Sequence, residues 1–349
     1  MLFLYKILIE RRVQMTTQAR IQLTSSELGI LWMTYKSQCG TLARCESMKT
    51  KTIDKEAQGI LTSYITDGEI LKDKIVNILN NEQVAIPIGF DESDVIREAP
   101  PLFDDIFHIM ILRQMMKLNF GHSAMFTTMS YMKEVQEMLK LNYDTAEKYY
   151  VITTNYLLGK GVLAKPPYVS IPKQVEIIED KSYMSGINLF SDKRALNTIE
   201  VGFLTEAIEN NIFGMQLMTG FAQSAANKDV KEYFIEGKEL AKKIVSKLSD
   251  VLLQSDIQPP STWAGKATDS TQAPFSDELM MFTTNLMSNS AIGYNVIGTS
   301  FSLRSDLHAK LSLIAKDTFN FAKKGGKLMI KHKWMEEPPQ MEDRNQLTK

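Results

Sequence analysis

A heptapeptide that comes back later in the chain governs what this sequence can fold into. Ala99-Pro100-Pro101-Leu102-Phe103-Asp104-Asp105 returns as Ala273-Pro274-Phe275-Ser276-Asp277-Glu278. In both places prolines end an irregular stretch, and carboxylates follow where a helix begins. There they meet unpaired backbone N–H groups and the positive end of the helix dipole. Pro274 lies 173 residues after Pro101, and Pro338-Pro339 lies 172 after Pro166-Pro167. Glu27-Leu28-Gly29 recurs as Glu200-Val201-Gly202, again at 173. Tyr64-Ile65-Thr66-Asp67-Gly68 recurs as Tyr233-Phe234-Ile235-Glu236-Gly237 at 169, which predicts a difference of a few residues in the first interhelix turn. A period this long excludes a solenoid and predicts a duplicated domain, each copy burying its own core. The expected division is 15–178 for the first copy and 179–349 for the second, after an extension at 1–14.

Composition narrows the function classes. Across 349 residues, 44% are hydrophobic and 23% charged, the balance of a globular protein. Lys plus Arg (40) nearly equals Asp plus Glu (41), so no net field steers the chain to nucleic acid or an anionic membrane. Cys39 and Cys45 fall six apart on one helical segment, facing different ways, which predicts free thiols in a reducing cytosol. Met1 to Ile9 is apolar apart from Lys6 and precedes Glu10-Arg11-Arg12. That is the reverse order of a secretory signal, and the run is too short to span a bilayer. Residues 1–14 are therefore expected to add nothing to either core, with Met15 as the start of an ordinary cytosolic chain.

Periodicity predicts an all-α fold. Helix one starts at Ser25 or Ser26 and carries Leu28, Leu31, Trp32, Tyr35, Cys39 and Leu42 on one stripe. Helix two runs from near Asp54 to Asn80-Asn81 through Ala57, Leu61, Tyr64, Gly68, Leu71 and Ile75. From Glu82 to Pro101 the periodicity stops. Twenty extended residues reach roughly 66 Å, against roughly 40 Å for a 26-residue helix. The segment can thus cross the whole bundle and set helix three parallel to helix two, the single crossover of ferritin-like bundles. Helix three includes Phe103 to Met129, with Gly121 matched by Gly293 and read as a kink or a close helix approach. Helix four covers Lys133 to Lys160, with a break at Asn142-Tyr143-Asp144 and a glycine close at Gly159-Lys160-Gly161. Residues 168–194 read as an interdomain arm. The second copy repeats the scheme at about 193–223, 229–254, 277–303 and 306–331, with a crossing segment at 255–274 and a frayed tail from Gln340.

Candidate chemistry is sparse. Di-metal bundles place a Glu-x-x-His on each of two inward helix faces, and this chain has none. Asp105-Ile106-Phe107-His108 comes nearest, with Glu278 and Met281 taken as its counterparts. The Asp reads as a cap and His108 as a buried or boundary residue bonded to a neighbour. Asp67 and Glu236, each three residues after a tyrosine and one before a glycine, are the mid-helix acids that could ligate; as surface acids they need no such role. His108, His122, His308 and His332 do not correspond between copies. Gly325-Gly326-Lys327 lacks phosphate-loop spacing. The twenty methionines, dense from Met110 to Met138, read as core filler ahead of an adaptable groove. No residue is assigned as catalytic, cofactor-binding or metal-ligating, and no cofactor is expected.

The Glu27-Leu28-Gly29-Ile30-Leu31-Trp32 opening, the proline-rich crossings and the closing Trp334-Met335-Glu336-Glu337-Pro338-Pro339 resemble a domain-of-unknown-function family of spore-forming bacilli. That family is similar to spore coat protein F, and the resemblance spans residues 16–343. It implies two tandem ferritin-like four-helix bundles with long crossovers and a spore setting, and it carries no catalytic role. The first copy departs from the closing motif with Val162-Leu163-Ala164-Lys165, so any role of that motif belongs to the second copy. The expected function is a non-catalytic structural or protein-interaction protein linked to sporulation or the spore coat. The alternative is a divergent di-metal carboxylate oxidase or reductase. Protein partners or self-association, and a cytoplasmic or spore location, complete the expectation.

Overall fold

Thr24, one residue ahead of the serines expected, opens the first helix. Its hydroxyl accepts the Glu27 N–H while the Glu27 carboxylate accepts the Thr24 N–H, a capping box. The computed structural model describes residues 21–186, 193–260 and 266–348. The expectation for residues 1–14 lies outside them, as does Gly265 of the second crossing. Helix α1 is Ser25–Lys51, and a three-residue turn leads to α2, Lys55–Asn81, capped by the Asp54 carboxylate. After the crossing segment come α3, Asp105–Thr127, capped by Asp104, and α4, Lys133–Gly159, which runs unbroken through 142–144. The second copy supplies α5 (Thr198–Ser224), α6 (Lys228–Leu253), α7 (Asp277–Phe301) and α8 (Ser305–Lys331), and its tail carries a single turn, α9 (Arg344–Leu347). Among the described residues there is no strand, only two isolated bridges.

Hydrogen bonds between helix ends fix the direction of each helix. The Asp105 carboxylate accepts the Ile53 and Asp54 N–H groups (2.9 and 2.7 Å), so α2 and α3 start at the same end. Glu27 accepts the N–H groups of Tyr131 and Met132, so α1 and α4 start together at the other end. The bundle is up-down-down-up, with α2 and α3 parallel across one long crossover, as expected. Asp277 repeats the first clasp on Ala226 and Asn227, and Glu200 repeats the second on Leu303 and Arg304. The chain is two tandem four-helix bundles, α1–α4 and α5–α8.

The clasps correct the expected alignment of the copies. The turn between the first two helices has three residues in both, Thr52–Asp54 and Ala225–Asn227. Beyond the second helix, Gln83 and Asp256 both take φ near +56°, again 173 apart. The second helix therefore matches at 173 throughout, not 169. Tyr64 corresponds to Gly237, Asp67 to Leu240, and Glu236 to Ser63. Four residues are about 400° of helix, so a slip of one turn restores almost the same face and deceives a periodicity argument. Gly121 and Gly293 do match at 172, yet they do not mark a close approach. A Cβ on Gly293 would meet nothing within 4 Å, and one on Gly121 only the Tyr294 hydroxyl at 3.6 Å.

The cores are not wholly private, contrary to expectation. Ile30, Leu31, Leu71, Ile75, Val135 and Leu139 form a separate cluster at the far end of the first bundle, and Leu204, Ile208, Leu248 and Leu311 do so in the second. The largest cluster runs through both copies without interruption, from Cys39 and Leu61 through Phe107 and Leu112 to Phe221, Phe234 and Met280. Phe107 stacks on Phe213 at 5.0 Å between ring centres, and Phe103 lies 6.2 Å from Phe221. Glycine at 220 makes room for this packing, because a Cβ there would sit 2.4 Å from the Phe103 ring. Most of the Met110–Met138 methionines are core filler, as expected: Met110, Met115, Met116, Met132 and Met138 are buried.

Candidate functional site: the seam between the bundles

The crossing segments, irregular in sequence, pair with each other. Ile96 N–H donates to Pro274 O (3.0 Å) and Thr268 N–H to Leu102 O (2.9 Å). Ser276 N–H donates to Asp94 O (2.8 Å) and Asp104 N–H to Lys266 O (3.2 Å). Partners in each pair of bonds exchange at an offset of 172, as do the bridges Val95–Phe275 and Phe103–Ala267, so the copies meet about a pseudo-twofold axis. Pro274 therefore matches Leu102, one residue on from the expected Pro101, and the matched run is Phe103-Asp104-Asp105 with Phe275-Ser276-Asp277. The counterpart of Asp105 and His108 is Asp277 and Met280, not Glu278 and Met281.

Around this axis α3 faces α5 and α1 faces α7. Arg113 donates to Glu209 (2.9 Å), to Thr154 and to Tyr150, while Lys117 pairs with Glu206. Arg44 is fully buried, with Nη1 donating to Thr283 Oγ1 across the seam at 2.6 Å and Nη2 to Thr41 Oγ1 at 3.1 Å. Burial pushes its guanidinium down to about 10. Beyond α8, Glu336 reaches back into the first copy: it pairs with Lys36 and accepts the Ile88 N–H at 2.8 Å and the Gly89 N–H at 3.4 Å. This gives the closing motif of the second copy a structural task that the first copy's Val162-Leu163-Ala164 does not share.

Beside that latch sits Glu278, half-buried and making no hydrogen bond to a described residue. Burial raises its carboxyl first, Asp94 and Glu336 add to the rise and Lys36 opposes it, leaving it at about 7. The clasp carboxylates behave oppositely. Burial alone would raise Glu200, but Arg194 and the amides of Asn197, Arg304 and Leu303 outweigh it and bring it to about 2. Glu27 is lowered in the same way: Thr24 and the amides of Met132 and Tyr131 prevail over burial.

Of the sequence candidates, His108 is buried with Nδ1 2.9 Å from the Thr52 hydroxyl, and burial lowers it to about 4. It is the buried residue bonded to a neighbour that the sequence suggested. Asp67 accepts from Lys148 (2.7 Å) and the Tyr149 hydroxyl (2.8 Å), and Glu236 pairs with Lys324. His122 stacks on Phe126, His308 Nε2 donates to Ser302 O at 2.5 Å, and His332 stacks on Trp334 beside Asp229. Cys39 and Cys45 are buried free thiols, the latter pushed up by burial to about 12. Among the described residues no group of three or more His, Cys, Asp and Glu side chains is placed to hold a metal ion.

Sequence reasoning missed the Glu336 latch and Arg44, because nothing local marks a residue whose partner lies hundreds of positions away. The clasps were closer to view: Thr24-x-x-Glu27 and Asn197-x-x-Glu200 are capping-box patterns.

The profile of the family described as Protein of unknown function (DUF3231) matches residues 13–175 and again 184–347. The chain belongs to that family. The DUF3231 chain is also similar to a solved structure, a candidate spore coat protein from Bacillus halodurans C-125. The two are 17% identical with a TM-score of 0.41, over 43% of this chain and 98% of that one. No curated protein matches the sequence. Among the described residues of the DUF3231 chain no helix is long and apolar enough to cross a membrane.

Proposed function

We propose that this DUF3231 chain is a non-catalytic structural or protein-interaction component associated with sporulation or the spore coat, built from two ferritin-like bundles without the ligands of di-metal relatives. The observation that carries the reading is where the matched acids go. Glu27, Glu200, Asp105 and Asp277 each accept two backbone N–H groups from a neighbouring helix start. Carboxylates held in this way brace helix ends and keep little capacity for acid-base or redox chemistry.

Contacts for partners lie at the outer turns. The α3–α4 turn exposes Met129 and Tyr131, and the matching α7–α8 turn exposes Phe301 and Leu303. The extended arm after α4 adds Tyr168, Ile171, Val175 and Ile177, each at least four-fifths exposed. The spore setting comes from the family resemblance of the sequence. Labelling the protein in sporulating cells of its source organism tests the reading. It should fractionate with forespore or coat material, and its deletion should alter spore resistance. Purely vegetative expression, together with oxygen- or peroxide-dependent turnover in vitro, would replace this reading with the di-metal one.

A further inference from the structure

The second bundle has an opening in its interior beside the seam. A cavity of about 100 Å³ lies among α5, α6, α7 and α8, close to α3, and none of the residues lining it is charged. Asn295 projects from α7 into its lining and is 6% exposed. Its carboxamide, the Ser288 hydroxyl and the Tyr294 hydroxyl make no hydrogen bond to a described residue. The amide opens onto the cavity, where a guest or water can meet its carbonyl and NH₂ group.

The duplication supplies an internal control. At the same level of the first bundle, Leu112 stands for Thr284, Met116 for Ser288 and Tyr64 for Gly237. All three are buried, and Tyr64 packs edge-on against Tyr149 at 5.3 Å. In the second copy each of these positions is smaller or more polar: the Phe321 ring fills the space beside Gly237, 2.6 Å from where a Cβ would sit, while Thr284 and Ser288 face the cavity. Two reductions facing one volume, at Thr284 and Ser288, beside an amide that no described residue bonds, make a lined site rather than a packing fault.

We propose that the second bundle binds a small uncharged molecule in this cavity, a primary amide or alcohol of about four to six non-hydrogen atoms. The size follows from the volume, about two thirds of the roughly 150 Å³ engineered cavity that admits benzene. The absence of charge follows from a lining that could pair no ion. Asn295 presents one carbonyl and one NH₂ group, which an amide meets with a complementary pair. The apolar body would rest against Leu240, Met287 and Phe321.

The full-length protein with ¹⁵N-labelled asparagine, titrated with isobutyramide and separately with isobutyrate, tests the site through the Asn295 carboxamide signal. The expected result is a saturable shift with isobutyramide and at least tenfold weaker binding of isobutyrate. Ser288→Met, which restores the first copy's residue, should weaken isobutyramide at least tenfold. Thr284→Leu gives the same test should the methionine variant fail to fold. No shift, an equal response to the anion, or unchanged binding in the filled variants would overturn the proposal and leave the cavity a store of water.

Discussion

Lys36 in α1 and Glu336 beyond α8 form an ion pair 300 residues apart in sequence, and the same carboxylate takes the Ile88 N–H at 2.8 Å. The tail of the second bundle is thereby fastened to the crossing segment of the first. Removing one side of a partly buried pair leaves the other unsatisfied. Glu336→Ala should cost about 2 kcal/mol of stability in urea unfolding, while the same change at exposed Glu337 should cost almost nothing. Equal effects at the two positions would mean that the latch is an ordinary surface contact.

His108 makes the fold sensitive to mild acid. Its ordinary pKa is 6.5, and in the folded chain it lies at about 4 because it is buried beside Thr52. Between those values the unfolded chain binds a proton that the folded chain refuses, so stability falls as pH drops through that window, by up to about 3 kcal/mol. His108→Gln should flatten the decline between pH 6.5 and 4. The loss that Glu200 contributes from pH 4.5 down towards 2 should remain.

Glu278 acts in the opposite direction. Its carboxyl is raised from 4.5 to about 7, so between those values the folded chain holds a proton that the unfolded chain has released. Stability therefore falls as pH rises from 4.5 to 7. Glu278→Gln should remove that slope and, allowing for the water that reaches a half-buried group, stabilise the protein at pH 8 by about 1 kcal/mol. A variant less stable than the parent at pH 8 would refute the assignment.

Lys333 sits at φ +62°, where the first copy has Gly161 at +69°. A side chain in the left-handed region costs about 1 kcal/mol relative to glycine. Lys333→Gly should raise the melting temperature by a few degrees, and Gly161→Lys should lower it.

Much of the architecture was legible because helix caps and apolar stripes are local. Asp54, Asp104 and the α1 and α2 stripes could be read directly, and the length of the 82–101 segment alone implied a parallel α2 and α3. The matching of Asp67 with Glu236 failed, because a one-turn slip along a helix preserves the buried face. The matching of Pro101 with Pro274 failed by one residue, because a shared proline is weaker evidence than paired backbone bonds. The seam was illegible for another reason: Arg113, Lys117, Glu206 and Glu209 look like solvated faces until the second bundle covers them. His108 was readable as a structural residue, but the Asp three positions before it, read as a cap, is not one: Asp104 caps α3, and Asp105 instead holds the start of α2.

Metal content is the decisive measurement, because the matched carboxylates brace helix ends and the described residues present no group of His, Cys, Asp and Glu side chains placed to hold a metal ion. The protein should be purified aerobically and anaerobically and its iron, manganese and zinc measured by elemental analysis. Well under one equivalent of any of them per chain is expected in both preparations. One or two equivalents per chain, lost on changing Asp67 or Glu236, would contradict it.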